Sequence, residues 1–178
     1  MSSPPEQTTM KVYTSNTTET RTLPERTKVG IADYAVATGN ATLTTSGLGS
    51  CVGIALYDSQ AGVGGLAHAM LPYADGDTDE AKYADTAIRA LLEAMVEKGA
   101  KRRRIRAKIA GGSTMFEFSS ADGSIGERNA VAAKETLARE DIDLVAEDVG
   151  GEHGRSLELD VSNGNLEVRS AHVGKDTI

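Results

Sequence analysis

Tryptophan is absent from this 178-residue sequence, cysteine occurs once, phenylalanine twice and proline four times. The lone thiol, Cys51, excludes an intrachain disulfide and any cysteine-rich zinc site. Such sparing use of cysteine belongs to a reducing compartment, the cytoplasm. With aromatics at 4% of residues, the core must be assembled from Ala, Val, Ile and Leu. No apolar run approaches the roughly 20 residues that cross a bilayer. The polar start from Met1 to Thr9 lacks the apolar stretch of a signal peptide. Positive charge is in deficit too: 19 Lys and Arg face 26 Asp and Glu, a net charge of −7. That balance argues against nucleic acid as the partner, because a phosphate backbone recruits clustered cations. A soluble protein without membrane insertion is expected.

What is present supports one folded domain. Hydrophobic residues make up 39% of the chain and 19 glycines punctuate it. Residues 1–27, rich in Thr, Ser, Glu and Pro, read as a flexible polar tail, with a short strand near Val12 and Tyr13 left open. Residues 28–178 form the domain. Strand patterns cover 29–37 and 41–45. From Cys51 the alternation sharpens, with Val52, Ile54 and Leu56 on one face and Cys51, Gly53, Ala55 and Tyr57 on the other. Asp58 to Gly62 has turn chemistry, and Val63 to Met70 reads as the returning strand.

A helix follows, with Asp77 and Glu80 in capping-box spacing and a stripe of Ala81, Ala84, Ile88, Leu91, Leu92 and Met95, stopped by Gly99. Arg104 to Ala110 alternates as a strand. A second helix covers Glu127 to Arg139, with Ala130, Ala133 and Leu137 inward. Strand-like segments at 141–147, 156–161 and 165–170 complete the chain. The pattern predicts an α/β class: a single-domain layered sandwich of mixed, largely antiparallel strands with two main helices. It lacks the regular alternation of a doubly wound parallel sheet.

Chemistry concentrates in the first hairpin. A turn symmetric about the Ser59–Gln60 bond sets Cys51 directly opposite His68, with Cβ atoms about 4.5–5.5 Å apart. A one-residue slip in pairing would send the two side chains to opposite faces. A free thiol ionises near pH 8.5, and an adjacent imidazolium raises its thiolate fraction at neutral pH. The pair then suits attack on an ester, amide or carboxamide carbonyl, with the imidazole returning the proton to the leaving group. Either residue alone reads equally as packing: a small buried thiol, or a hydrogen-bonded core histidine.

Other motifs are weaker. Gly49-Ser50-Cys51-Val52-Gly53 matches a cysteine form of the nucleophile elbow, but that elbow leads into a helix and this segment continues as a strand. Its glycines instead allow close backbone approach and expose the N–H groups of Ser50 or Cys51 to an oxyanion. Gly62 to Gly65 and Gly111-Gly112-Ser113 lack the lysine and spacing of a phosphate loop and read as turns. The basic block Lys101 to Lys108 reads as a solvated loop and strand with Ile105, Ala107 and Ile109 inward; a docking stripe for an acidic partner is the rival. His153 and His172 receive no role.

Gly47 to Asp58 and Gly65 to Pro72 resemble the signature of the chemoreceptor glutamine deamidases, the CheD family. Further matching blocks are Tyr83-Ala84-Asp85, Ala107 to Gly112 with Met115-Phe116, Ile125 to Asn129, and Asp148 to Gly151 leading to Gly154-Arg155. The resemblance spans roughly residues 29 to 165. It implies an α/β sandwich related to the catalytic domain of cytotoxic necrotizing factors. It also implies a catalytic pair, Cys51 and His68, assisted by Thr45, with no metal or organic cofactor. The implied activity converts glutamines on chemoreceptor cytoplasmic domains (methyl-accepting chemotaxis proteins) to glutamate through a cysteine thioester. A CheC-type phosphatase is an implied partner. The rival function is a non-catalytic module that binds receptors or such a phosphatase, and hydrolysis of glutamate methyl esters is compatible with the same acyl chemistry.

Overall fold

Two five-stranded sheets and a pair of helices stack as three layers in the computed structural model, which describes residues 9–14, 17–22, 25–114 and 121–178. The strands are β1 (Thr9–Thr14), β2 (Thr17–Thr22), β3 (Arg26–Lys28), β4 (Asp33–Thr38), β5 (Thr42–Leu48), β6 (Val52–Asp58), β7 (Val63–Ala69), β8 (Arg106–Gly111), β9 (Asp143–Val149), β10 (Arg155–Asp160), β11 (Leu166–Ser170) and β12 (Gly174–Thr177). The helices are α1 (Ala84–Glu97) and α2 (Ile125–Arg139). The outer sheet runs β12-β11-β10-β5-β3 and the central sheet β4-β7-β6-β8-β9. Only the β3–β5 and β8–β9 pairs are parallel among the described residues, so the sandwich is mixed and largely antiparallel, as the sequence pattern indicates. No described helix is long and apolar enough to cross a membrane.

The two faces of β6 explain the layering. Val52, Ile54 and Leu56 point toward the helices and join Ile88, Leu91, Leu92 and Met95 of α1 and Leu137 of α2 in one core. Full burial of each large aliphatic contributes about 1.5–3 kcal/mol. The opposite face is small because the outer sheet lies close. A Cβ on Gly53 would stand 2.3 Å from Leu157 Cδ1, so β6 and β10 approach only where a side chain is missing. Leu43, Leu48, Ala55, Leu66, Leu157 and Leu159 fill this second core, and Cys51 packs at its margin.

Several boundaries differ from expectation. Residues 1–8, 15–16 and 23–24 of the expected tail lie outside the described residues. The rest of it includes the antiparallel pair β1–β2 and the strand β3, which joins the outer sheet. The capping box does not form. Asp77 accepts from the Tyr83 hydroxyl at 2.5 Å instead, residues Glu80–Lys82 make a separate 3₁₀ turn, and α1 begins at Ala84. α2 starts two residues early because Ser124 caps it, accepting from the Glu127 N–H at 3.0 Å. The basic block is largely satisfied within the chain. Ile105, Ala107 and Ile109 are buried as expected, while Arg102 binds Glu140, Arg104 binds the buried Asp58, and Arg106 faces Asp143.

Candidate active site

The β6–β7 hairpin carries both residues singled out first. Asp58 pairs with Val63, so the turn is centred one residue later than a symmetric Ser59–Gln60 turn, and His68 faces Gly53 rather than Cys51. A turn displaced by one residue shifts the pairing by two. Parity survives: Cys51, one residue before β6, packs against the core between the sheets, the side on which Thr45 meets His68. The direct opposition expected from the sequence is thereby corrected; the shared face is retained.

β7 is flanked by β4 and β6, which fixes the backbone of His68 on both sides. Its side chain points into the space between the sheets and is fully buried. Thr45 reaches it from the other sheet: Thr45 Oγ1 lies 2.8 Å from His68 Nδ1 and donates to the Val29 carbonyl at 2.8 Å. A hydroxyl has one proton. Since Val29 takes it, Nδ1 must carry a hydrogen and donate to Thr45, which assigns the neutral tautomer with its lone pair on Nε2. Nε2 is buried and has no hydrogen-bond partner among the described residues. Thr45 stands just before a bulge, where the β5–β10 register shifts between Arg155 and Leu157 and Gly47 adopts φ 75°.

Electrostatics differ from the expected ion pair. Burial pushes the Cys51 thiol above its ordinary 9.0. Burial also pulls His68 below its ordinary 6.5. At neutral pH the resting pair is therefore a thiol and a neutral imidazole. An imidazolium–thiolate pair would need a shift of the opposite sign in each partner. What such an arrangement can do is general-base chemistry, with a proton leaving sulfur as the sulfur attacks.

The backbone around Cys51 is held by α2 and by the loop after β8. Gly112 N–H donates to the Cys51 carbonyl at 2.8 Å, and Ser113 N–H donates to the Gly49 carbonyl at 2.8 Å. Asn129, fully buried on α2, donates to the carbonyls of Ser50 at 2.8 Å and Met70 at 2.9 Å. Sequence reasoning left Asn129, Gly112 and the Val29 carbonyl without roles. Asn129 and Gly112 enter there as members of the blocks Ile125 to Asn129 and Ala107 to Gly112 that resemble the CheD family. Among the described residues no three His, Cys, Asp or Glu side chains group as metal ligands.

Comparison with known proteins bears on this geometry. Residues 70–170 match the family model described as CheD chemotactic sensory transduction. A Haloarcula marismortui protein named probable chemoreceptor glutamine deamidase CheD is 52% identical over 174 residues, covering 95% of this chain and all of that protein. The chain belongs to the CheD family. A Bacillus subtilis member, named chemoreceptor glutamine deamidase CheD, is 42% identical over 85% of this chain and 95% of its own length. The span matched by the CheD model starts at Met70, past Thr45, Cys51 and His68, and takes in Asn129. The crystal structure of the Neisseria meningitidis protein NMB0706 shares the fold, with a TM-score of 0.51 and 12% identity over 72% of this chain and 65% of that one.

Proposed function

We propose that this chain hydrolyses the side-chain amide of glutamines on the cytoplasmic domains of chemoreceptors, releasing ammonia and leaving glutamate. Membership of the CheD family and the names of its relatives support the activity and the substrate class. One observation carries the mechanism: the hydrogen-bond chain Val29–Thr45–His68 leaves a proton-free Nε2, without a partner among the described residues, in the inter-sheet core that Cys51 borders.

In this reading Cys51 is the nucleophile, His68 the general base and then acid, and Thr45 the positioning residue. Sγ gives its proton to Nε2 as the S–C bond forms at the carboxamide carbon. The tetrahedral adduct collapses when Nε2–H protonates the departing nitrogen, the C–N bond breaks and ammonia leaves a thioester. His68 then takes a proton from water, hydroxide adds to the thioester, and glutamate and the thiol are released. The reading places the protein in the cytoplasm and keeps a CheC-type phosphatase as a proposed partner.

The test is receptor deamidation followed by intact mass and ammonia release. Wild type is expected to convert glutamine to glutamate, and Cys51→Ala and His68→Ala are expected to convert none above background. Receptor binding without any change of mass in the wild type would overturn the reading in favour of a regulatory module.

A further inference from the structure

Asn129 is an expensive residue to place where it is. Its side chain is fully buried, and its Oδ1 has no partner among the described residues. Both donated bonds go to carbonyls that the β6–β7 ladder leaves behind. The ladder ends at the Val52–Ala69 pair, and beyond it the Met70 N–H turns to the Lys82 carbonyl at 2.8 Å. The one Asn129 amide closes the gap, holding Ser50 on the nucleophile side and Met70 on the histidine side.

That hold has a directional consequence. In a trans peptide the C=O and N–H point in opposite directions. With the Ser50 carbonyl fixed toward Asn129, the N–H of Cys51 is aimed the other way, toward the loop after β8. There the ladder partner is missing. Gly112 donates its N–H to the Cys51 carbonyl, but it lies beyond the end of β8 at φ 61°, and its own carbonyl packs side-on against Gly126 of α2. A Cβ on Gly126 would meet that oxygen at 2.7 Å, so α2 seats there only as glycine. No backbone carbonyl of the described residues takes the Cys51 N–H, which lies against the residue's own sulfur, and both peptide planes flanking Cys51 are pinned.

We propose that Asn129 is a positioning residue that aims the Cys51 N–H as a donor to the oxyanion of the tetrahedral adduct. The inference rests on the acyl chemistry proposed above and adds the residue that orients the oxyanion donor. Removing an oxyanion donor costs about 10²–10³ in kcat, and a donor left in place but misaimed costs less.

Asn129→Ala and Asn129→Asp are compared with wild type and with Thr136→Ala, a buried substitution on the same helix. Folded Asn129 variants are expected to lose about tenfold to a hundredfold in kcat with KM within about twofold. Their Cys51 alkylation by iodoacetamide stays at the wild-type rate, because alkyl substitution forms no oxyanion. Thr136→Ala loses thermal stability alone. Wild-type kcat in the folded Asn129 variants, or alkylation falling in step with kcat, overturns the inference. A measurement on wild type needs no variant: a peptide aldehyde replacing the glutamine amide adds the thiol across its C=O. The Cys51 amide proton is then expected to shift downfield on forming the adduct, and an unmoved signal overturns the donor assignment. Absence of deamidation by wild type defeats the parent reading, whereas an active wild type with unimpaired Asn129 variants defeats this inference alone.

Discussion

Replacing Thr45 by valine removes one oxygen while keeping the branched shape, and it isolates the tautomer argument. The Thr45 hydroxyl makes two buried hydrogen bonds, each of 2.8 Å, to the Val29 carbonyl and His68 Nδ1. Each bond is worth about 1 kcal/mol net, and stranding buried partners raises the cost, so a loss of about 2–3 kcal/mol follows. For a domain of this size 1 kcal/mol moves Tm by about 2–4 °C, which sets the expected fall at about 4–12 °C. Catalysis responds separately. If the lost bond to Nδ1 favoured the reactive tautomer by about 1.4 kcal/mol, its removal shifts the tautomer ratio about tenfold against it, and misorientation of the freed ring carries the rest of the loss. Thr45→Val is therefore expected to lower kcat by about tenfold or more with KM nearly unchanged, while Thr45→Ser keeps most of both activity and stability. Nitrogen-15 NMR of His68 reads the cause directly: wild type carries the proton on Nδ1, and the valine variant shows a mixture. Full kcat in Thr45→Val, or equal damage from serine and valine, refutes the reasoning.

Burial lowers His68 below 6.5, so the acid limb of kcat/KM is expected to have its midpoint below pH 6.5, as a pH–rate profile measures. Burial raises Cys51 above 9.0, so its alkylation rate climbs through and beyond pH 9.0 with no plateau near neutrality; a flat neutral plateau would reveal a resting thiolate. The lowered His68 also ties stability to pH. The unfolded chain binds a proton near pH 6.5 that the folded chain refuses, so stability drops as pH falls from 6.5 through the lower folded value, and denaturant melts of His68→Gln should lose that part of the slope. Gly53→Ala drives a methyl to 2.3 Å from Leu157 Cδ1 and is expected to cost about 1–3 kcal/mol, with Leu157→Val recovering part of it in a double-mutant cycle of melting curves.

Short-range patterns carried most of the architecture. The alternation in 51–57 separated the two faces of β6 correctly because one face packs on helices and the other on the outer sheet, which comes closest at Gly53. The turn after β6 was legible as a turn but not in its centre: Asp58 accepts from both the Gln60 and Ala61 N–H groups at 3.1 Å, a local choice that sets the register by one residue. Burial raises the Asp58 pKa most strongly, yet the bonds from Lys101, Ala61 and Arg104 together bring it below its ordinary 3.8. The Asp77 cap failed for a similar reason, since the Tyr83 hydroxyl competes for the same carboxylate. The Thr45–His68 contact joins two sheets across 23 residues, and the Asn129 bonds reach 59 and 79 residues back. No local periodicity reports contacts of that kind. Thr45 and Asn129 entered only through family resemblance, Thr45 with a role and Asn129 as one residue of the block Ile125 to Asn129.

The sign of the two pKa shifts decides how the proposed chemistry must be assisted. An imidazolium–thiolate pair brings a preformed anion to the carbonyl. A buried neutral pair instead separates charge during attack, placing a negative oxygen and a positive ring in a poorly solvated space between sheets. Stabilisation at the oxygen and orientation of the ring therefore matter more here than in a site that rests ionised. Both supports come from outside the hairpin that bears His68: Thr45 from the outer sheet fixes the ring, and Asn129 from the helical layer fixes the Ser50–Cys51 peptide of the proposed nucleophile. The three layers meet at this edge of the hairpin, which gives a physical reason for the reacting pair to lie there and not along the uninterrupted part of β6 and β7, where ladder bonds consume every N–H.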